Sequence, residues 1–100
     1  PYEMTKSCEA FCFIDITDYV TDEPSLMLGK CWKALEDRNL LLAQAIGRFI
    51  LKGPSADKTQ NIIKSICITV DAICYEKMRL PQQSEACFIT NIESYQNLNY

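Results

Sequence analysis

The chain contains no histidine, and its 100 residues include only three glycines. Histidine is the commonest general base and a common metal ligand, so its absence removes the side chain most often used for both tasks. The sequence also lacks G-x-S-x-G and G-x-x-x-x-G-K, the patterns of a nucleophile elbow and of a phosphate-binding loop. We therefore expect a protein that is not an enzyme and that uses no cofactor and no metal.

Long hydrophobic runs and dense basic patches are missing as well. No run of about 18 uncharged apolar residues occurs, so the sequence predicts no membrane-spanning helix. The basic residues are too scattered, and too seldom interleaved with aromatic residues, to indicate nucleic-acid binding. The chain does not start with the basic and then apolar segments of a signal peptide, so a secreted form would already have lost its leader.

Cysteine, in contrast, is abundant, with six residues: Cys8, Cys12, Cys31, Cys67, Cys74 and Cys87. An even number of cysteines in a short chain is typical of a disulfide framework formed in an oxidising compartment. A zinc site is the alternative, but the closest pair, Cys8 and Cys12, has C-x3-C spacing and no histidine is available. The cysteines therefore predict a secreted, extracellular protein that is held together by three disulfides.

Apolar residues recur with helical periodicity in five segments, and no segment shows the alternation of a strand. The first predicted helix runs from Glu3 to Val20, and the second begins at Pro24. The third ends at residues 52–54, where a lysine is followed by glycine and proline. We therefore expect one all-α domain over residues 1–100, a disulfide-stapled bundle of about five helices with no sheet.

The last two predicted helices have recognisable ends. Asp57, with Gln60 three residues later, resembles a capping box and predicts the start of the fourth helix. Leu80-Pro81 predicts its end, and Ser84 is the predicted cap of the fifth.

A disulfide pairing follows from treating neighbouring helices as antiparallel hairpins. Residues equidistant from a hairpin turn lie opposite each other, which pairs Cys12 with Cys31 and Cys74 with Cys87. Cys8 and Cys67 remain, and they form the third predicted bridge out of the fifteen pairings that six cysteines allow.

Charge is distributed unevenly, because residues 1–23 carry a net charge of −5 and residues 24–79 a net charge of +4. Ordinary solvated helix faces explain this pattern, and so does a basic surface that steers a partner protein. The candidate binding residues are Arg38, Arg48 and Lys52, because they flank the apolar third helix within the basic segment.

The stretch from Asp22 to Trp32, with Leu40-Leu41 beyond it, resembles the second-cysteine region of insect odorant-binding proteins. The spacing of Cys67, Cys74 and Cys87 resembles the closing cysteines of that family. The family's C-x3-C lies in the middle of the chain, whereas here it lies near the start. In this respect the chain is more similar to the short helical salivary proteins of blood-feeding flies and mosquitoes, which include the albicin-like anti-complement group.

Binding is therefore the expected function, in two versions. The first is binding and inhibition of an extracellular protein of host defence or haemostasis, such as complement, as the resemblance to salivary proteins implies. The second is carriage of a small hydrophobic or amine ligand, as the resemblance to odorant-binding proteins implies. Five short helices leave few side chains to line a pocket of about 300 Å³ or more, which favours the protein target.

Overall fold

The computed structural model describes residues 14–54 and 57–97, and within these ranges the protein is all-helical with no strand. A short 3₁₀ turn, Thr17–Tyr19, precedes four α-helices. These are α1 (Pro24–Glu36), α2 (Leu40–Lys52), α3 (Lys58–Lys77) and α4 (Pro81–Asn97). The all-α prediction is thus confirmed for the described part of the chain.

The predicted first helix does not extend to Val20. Residues 14–16 are not helical, and the 3₁₀ turn replaces the α-helix that the periodicity indicated. The Asp15 carboxylate accepts hydrogen bonds from the Thr17 amide at 2.9 Å and from the Thr17 hydroxyl at 2.6 Å. Such a local side-chain bond competes with helical backbone pairing. Residues 1–13, which hold the rest of this prediction, lie outside the described ranges.

Helix starts and ends follow the local signals in three places. Pro24 is the first residue of α1, and α2 ends at Lys52 directly before Gly53. The Asp57 carboxylate accepts a hydrogen bond from the Gln60 amide at 2.8 Å and caps α3, as predicted. In α4 the prediction was wrong: the helix starts at Pro81, which places Ser84 inside it and buried.

Two helix ends use arginine where glycine is common. Arg38 after α1 and Arg79 after α3 adopt left-handed backbone conformations, with φ of 61° and 63°. The following amides bond back to carbonyls five residues earlier, Asn39 to Ala34 at 2.9 Å and Leu80 to Tyr75 at 2.8 Å. These are Schellman-type ends, and they turn the chain sharply into the next helix.

Helix α3 is central, because its two faces belong to two different apolar clusters. One face packs against α1 and α2 and carries Ile63, Cys67, Val70 and Cys74. The other face, with Ile68, Ala72 and Tyr75, packs with Cys87 of α4. Each cluster removes apolar surface from water, which is the main force that holds the helices together.

The predicted Cys74–Cys87 bridge is not present in the structure, in which both side chains are buried but no bond joins them. Cys74 lies in the cluster with α1 and α2, and Cys87 lies in the cluster on the opposite face of α3. Equal distance from a turn sets the height of two residues along a hairpin but not the direction in which their side chains point. The bridges predicted for Cys8 and Cys12 involve residues outside the described ranges.

Candidate functional site

A cleft of about 500 Å³ runs along α1. Lys30 and Lys33 line one side of it, and Tyr19 and Leu42 contribute apolar surface from the preceding segment and from α2. Leu26 lies at the cleft and is 55% exposed. The cleft therefore combines positive charge with accessible apolar surface.

The surface of α1 beside this cleft is open around Gly29. Leu26 and Trp32 lie three residues before and after Gly29, each about 60° around the helix from it, so the three residues follow one another across the exposed side of α1. No atom lies within 4 Å of the position that a Gly29 Cβ would take. Trp32, the single tryptophan of the chain, is 44% exposed. We call Leu26, Gly29, Lys30, Trp32 and Lys33 the α1 face.

Charge at the α1 face is positive at its centre and mixed at its end. Lys33 forms an exposed ion pair with Asp37 at 3.2 Å, and surface pairs of this kind contribute little stability. Arg38 follows immediately and is exposed, between Asp37 and Asn39, which both line the cleft. An acidic partner would therefore meet Lys30, Lys33 and Arg38 within a short distance along the chain.

The structure separates the three binding residues predicted from the sequence. Arg38 and Lys52 are exposed, at the end of α1 and at the end of α2. Arg48 is only 3% exposed, so the expectation that it lies at the surface is wrong. None of the three residues lines the cleft, and Arg38 lies in the chain between the lining residues Asp37 and Asn39.

Arg48 is buried because α3 supplies polar partners for it. Its guanidinium forms an ion pair with the Asp71 carboxylate at 3.1 Å and donates a hydrogen bond to the Tyr75 hydroxyl. Desolvation by burial raises the pKa of Asp71 to about 7. Gln44, one turn before Arg48, is also buried, and its amide has no hydrogen-bond partner among the described residues.

The sequence contains part of the signal for this buried network. Gln44 and Arg48 are the polar residues of α2 before its last turn, and a separation of four residues places them on one side of the helix. Asp71 and Tyr75 have the same separation in α3. In α2 the pair stands out because the rest of the helix before its last turn is apolar, whereas α3 carries many other polar residues, so only the α2 half of the contact can be predicted from the sequence.

A second, smaller cavity of about 220 Å³ lies between the start of α1, the end of α2 and the start of α3. Met27, Phe49 and Ile50 line it, and Phe49 is half-exposed. The Lys64 ammonium, also at this cavity, donates a hydrogen bond to the Gly53 carbonyl. The cavity is smaller than the roughly 300–1,000 Å³ of typical small-molecule pockets.

Four cysteines of the described ranges are buried and form no disulfide with one another: Cys31, Cys67, Cys74 and Cys87. Desolvation raises the pKa of Cys31 to about 11 and the pKa of each of the others to about 12. In the described ranges, no group of three or more histidine, cysteine or acidic side chains is arranged to hold a metal ion. Buried thiols of this kind are poor nucleophiles, because the thiolate is the reactive form.

Across residues 14–54 and 57–97, no helix is both long enough and apolar enough to cross a membrane. Comparisons with known proteins found no match: no protein-family model, no curated protein and no solved structure is similar to this chain.

Proposed function

We propose that this chain is a secreted, non-enzymatic binding protein that engages and inhibits an extracellular protein of host defence or haemostasis. Components of complement are the first candidates, by the resemblance to salivary proteins. The six cysteines would then form three disulfides, as in other small secreted domains. The observation that carries the proposal is the α1 face, an exposed apolar surface next to a lysine-lined cleft.

The composition of the α1 face supports a protein partner. Exposed tryptophan and leucine side chains on one helix side are typical of interaction surfaces, and tryptophan is enriched among residues that dominate binding energy. Gly29 leaves room for a partner side chain between Leu26 and Trp32. Lys30 and Lys33 would speed association with an acidic partner and suppress binding of basic proteins.

The smaller cavity supports the alternative function, carriage of a small ligand. Its apolar lining by Met27, Phe49 and Ile50, with the Lys64 ammonium at its edge, suits a compact amphipathic molecule. Its volume of about 220 Å³ is small for that task. Native mass spectrometry of the secreted protein distinguishes the two functions, because a carrier would retain a bound molecule whose mass adds to that of the chain.

Substitution of Gly29 by arginine tests the α1 face with little risk to the fold. The side chain would enter open solvent, and arginine favours helix over glycine by close to 1 kcal/mol. We expect the immobilised wild-type chain to retain one plasma protein selectively, and Gly29→Arg to reduce that binding at least tenfold. In a complement haemolysis assay, the same variant should lose inhibition in parallel.

Charge reversal on two different helices provides a matched comparison. The variant Lys30→Glu/Lys33→Glu changes the α1 face, whereas Lys58→Glu/Lys77→Glu makes the same net change on exposed residues of α3. The first should slow association and weaken its salt dependence, and the second should change neither beyond a small long-range effect. Binding through the α1 face would be refuted if Gly29→Arg and both double variants bound the partner as fast and as tightly as wild type.

A further inference from the structure

Gly47 in α2 lies where α1, α2 and α3 meet in the core. The position that a Gly47 Cβ would take is 3.6 Å from the Cys31 Sγ atom and 3.7 Å from the Cys67 Cβ atom. The two cysteines, one on α1 and one on α3, therefore approach the same point beside the α2 backbone. Both side chains are almost completely buried.

Cys74 is the other thiol on this face of α3. It lies near the start of α2, whereas Cys31 and Cys67 lie near its middle. Its Sγ atom is 3.7 Å from the Leu40 carbonyl oxygen, whereas the Cys31 thiol donates to the Ala43 carbonyl at 3.2 Å. Three residues of α-helix separate these carbonyls by about 4.5 Å along the axis. Cys31 and Cys67 both lie beside Gly47, whereas Cys74 is seven residues, or about two turns, further along α3 than Cys67 and lies near Leu40. Cys87 lies in the separate cluster on the opposite side of α3.

We propose that Cys31 and Cys67 form a disulfide that ties α1 to α3 across Gly47. This pairing differs from the bridges that hairpin symmetry predicts for these two residues. In the reaction each thiol loses its proton, one S–S bond forms, and two electrons pass to a disulfide oxidant such as glutathione disulfide, which leaves as two thiols. That this bond exists in the functional protein rests on the extracellular location proposed above.

The bond forms before the core closes. Desolvation raises the pKa of Cys31 to about 11 and that of Cys67 to about 12, and the nearby Cys31 adds to the rise at Cys67. The attacking group in disulfide exchange is the thiolate, so both thiols are slow to react once they are buried. Oxidation therefore takes place in the open chain, and the completed bond is then enclosed by α2.

Refolding of the reduced chain in a glutathione redox buffer tests this inference independently of where the protein acts. Two variants are compared, each retaining only two cysteines with the other four replaced by alanine: one keeps Cys31 and Cys67, and the control keeps Cys31 and Cys87. We expect the first to form its bond almost quantitatively and to lose it in urea. The control, whose thiols lie in different clusters, should stay reduced under the same conditions.

Peptide mapping of the six-cysteine chain under non-reducing conditions completes the test. A peptide that joins Cys31 to Cys67 would support the inference. Disulfides in other pairings, or equal oxidation of the two variants, would overturn it and leave the proposed binding function intact. Failure of the plasma-binding experiment, by contrast, would count against the function without affecting this bond.

Discussion

The buried ion pair between Arg48 and Asp71 gives the sharpest prediction for stability. We predict that Arg48→Met, measured by urea denaturation at pH 8, lowers the free energy of unfolding by about 3–5 kcal/mol. The reason is that the Asp71 carboxylate would stay buried without the guanidinium that lies 3.1 Å away. For comparison, domains of this size are stable by only about 5–15 kcal/mol in total.

The pair itself contributes much less than the loss of one partner suggests. Desolvation of both charges offsets most of their attraction, and Asp71 Oδ1 has no hydrogen-bond partner among the described residues. We therefore expect the double variant Arg48→Met/Asp71→Leu to come within about 1 kcal/mol of wild type. The coupling energy from the double-mutant cycle should then be several kcal/mol, whereas independent substitutions would give a value near zero.

An exposed pair in the same protein is the control. Lys33→Met removes the ion pair with Asp37, in which both side chains are mostly exposed, and should change stability by less than about 1 kcal/mol. A loss below about 1 kcal/mol for Arg48→Met, or additive effects of the two core substitutions, would refute the reasoning about the buried pair.

Three further predictions concern local structure and pH. Arg79→Gly should raise the free energy of unfolding by about 0.5–1 kcal/mol in thermal denaturation, because Arg79 has a φ of 63°. The control Lys77→Gly, at the right-handed last residue of α3, should not raise it. Asp57→Ala should cost about 1 kcal/mol in the same assay, because the Gln60 amide loses its cap; no loss would contradict the capping role. Burial raises the pKa of Asp71 to about 7 from 3.8, so the folded state binds this proton more tightly than the unfolded state. The stability of wild type relative to Asp71→Leu should therefore be greatest below about pH 4 and fall as pH rises to about 7; a rise across this window in urea denaturation would contradict the assignment.

Helix positions could be predicted from the sequence where their signals are local. The Asp57 cap, Pro24 at the start of α1 and the end of α2 at Lys52 each depend on a few neighbouring residues, and the structure confirms all three. The prediction that Ser84 caps the last helix was wrong, because Pro81 three residues earlier is an equally good first residue of a helix. The prediction that the first helix extends to Val20 was wrong, because the hydrogen bond from the Thr17 amide to the Asp15 carboxylate replaces helical backbone hydrogen bonding just before Val20.

Side-chain directions could be predicted less well, because they depend on which helix packs on which face. Arg48 follows the helical charge pattern of a surface residue, and only the presence of Asp71 and Tyr75 on α3 explains its burial. Cys74 was predicted to face α4, but its face of α3 belongs to the contact with α1 and α2. The α1 face could not be predicted, because the open space at Gly29 depends on which side of α1 the other helices leave uncovered.

The proposed function depends on an oxidised, extracellular chain, and a thiol count tests this claim most directly. The protein is secreted from a eukaryotic expression host, denatured in guanidinium chloride without reductant, and titrated with an aromatic disulfide that releases a coloured thiolate. We predict no reactive thiol before reduction and six per chain after it, as three disulfides require. Four or more reactive thiols before reduction, as expected if Cys31, Cys67, Cys74 and Cys87 form no disulfide, would contradict the account.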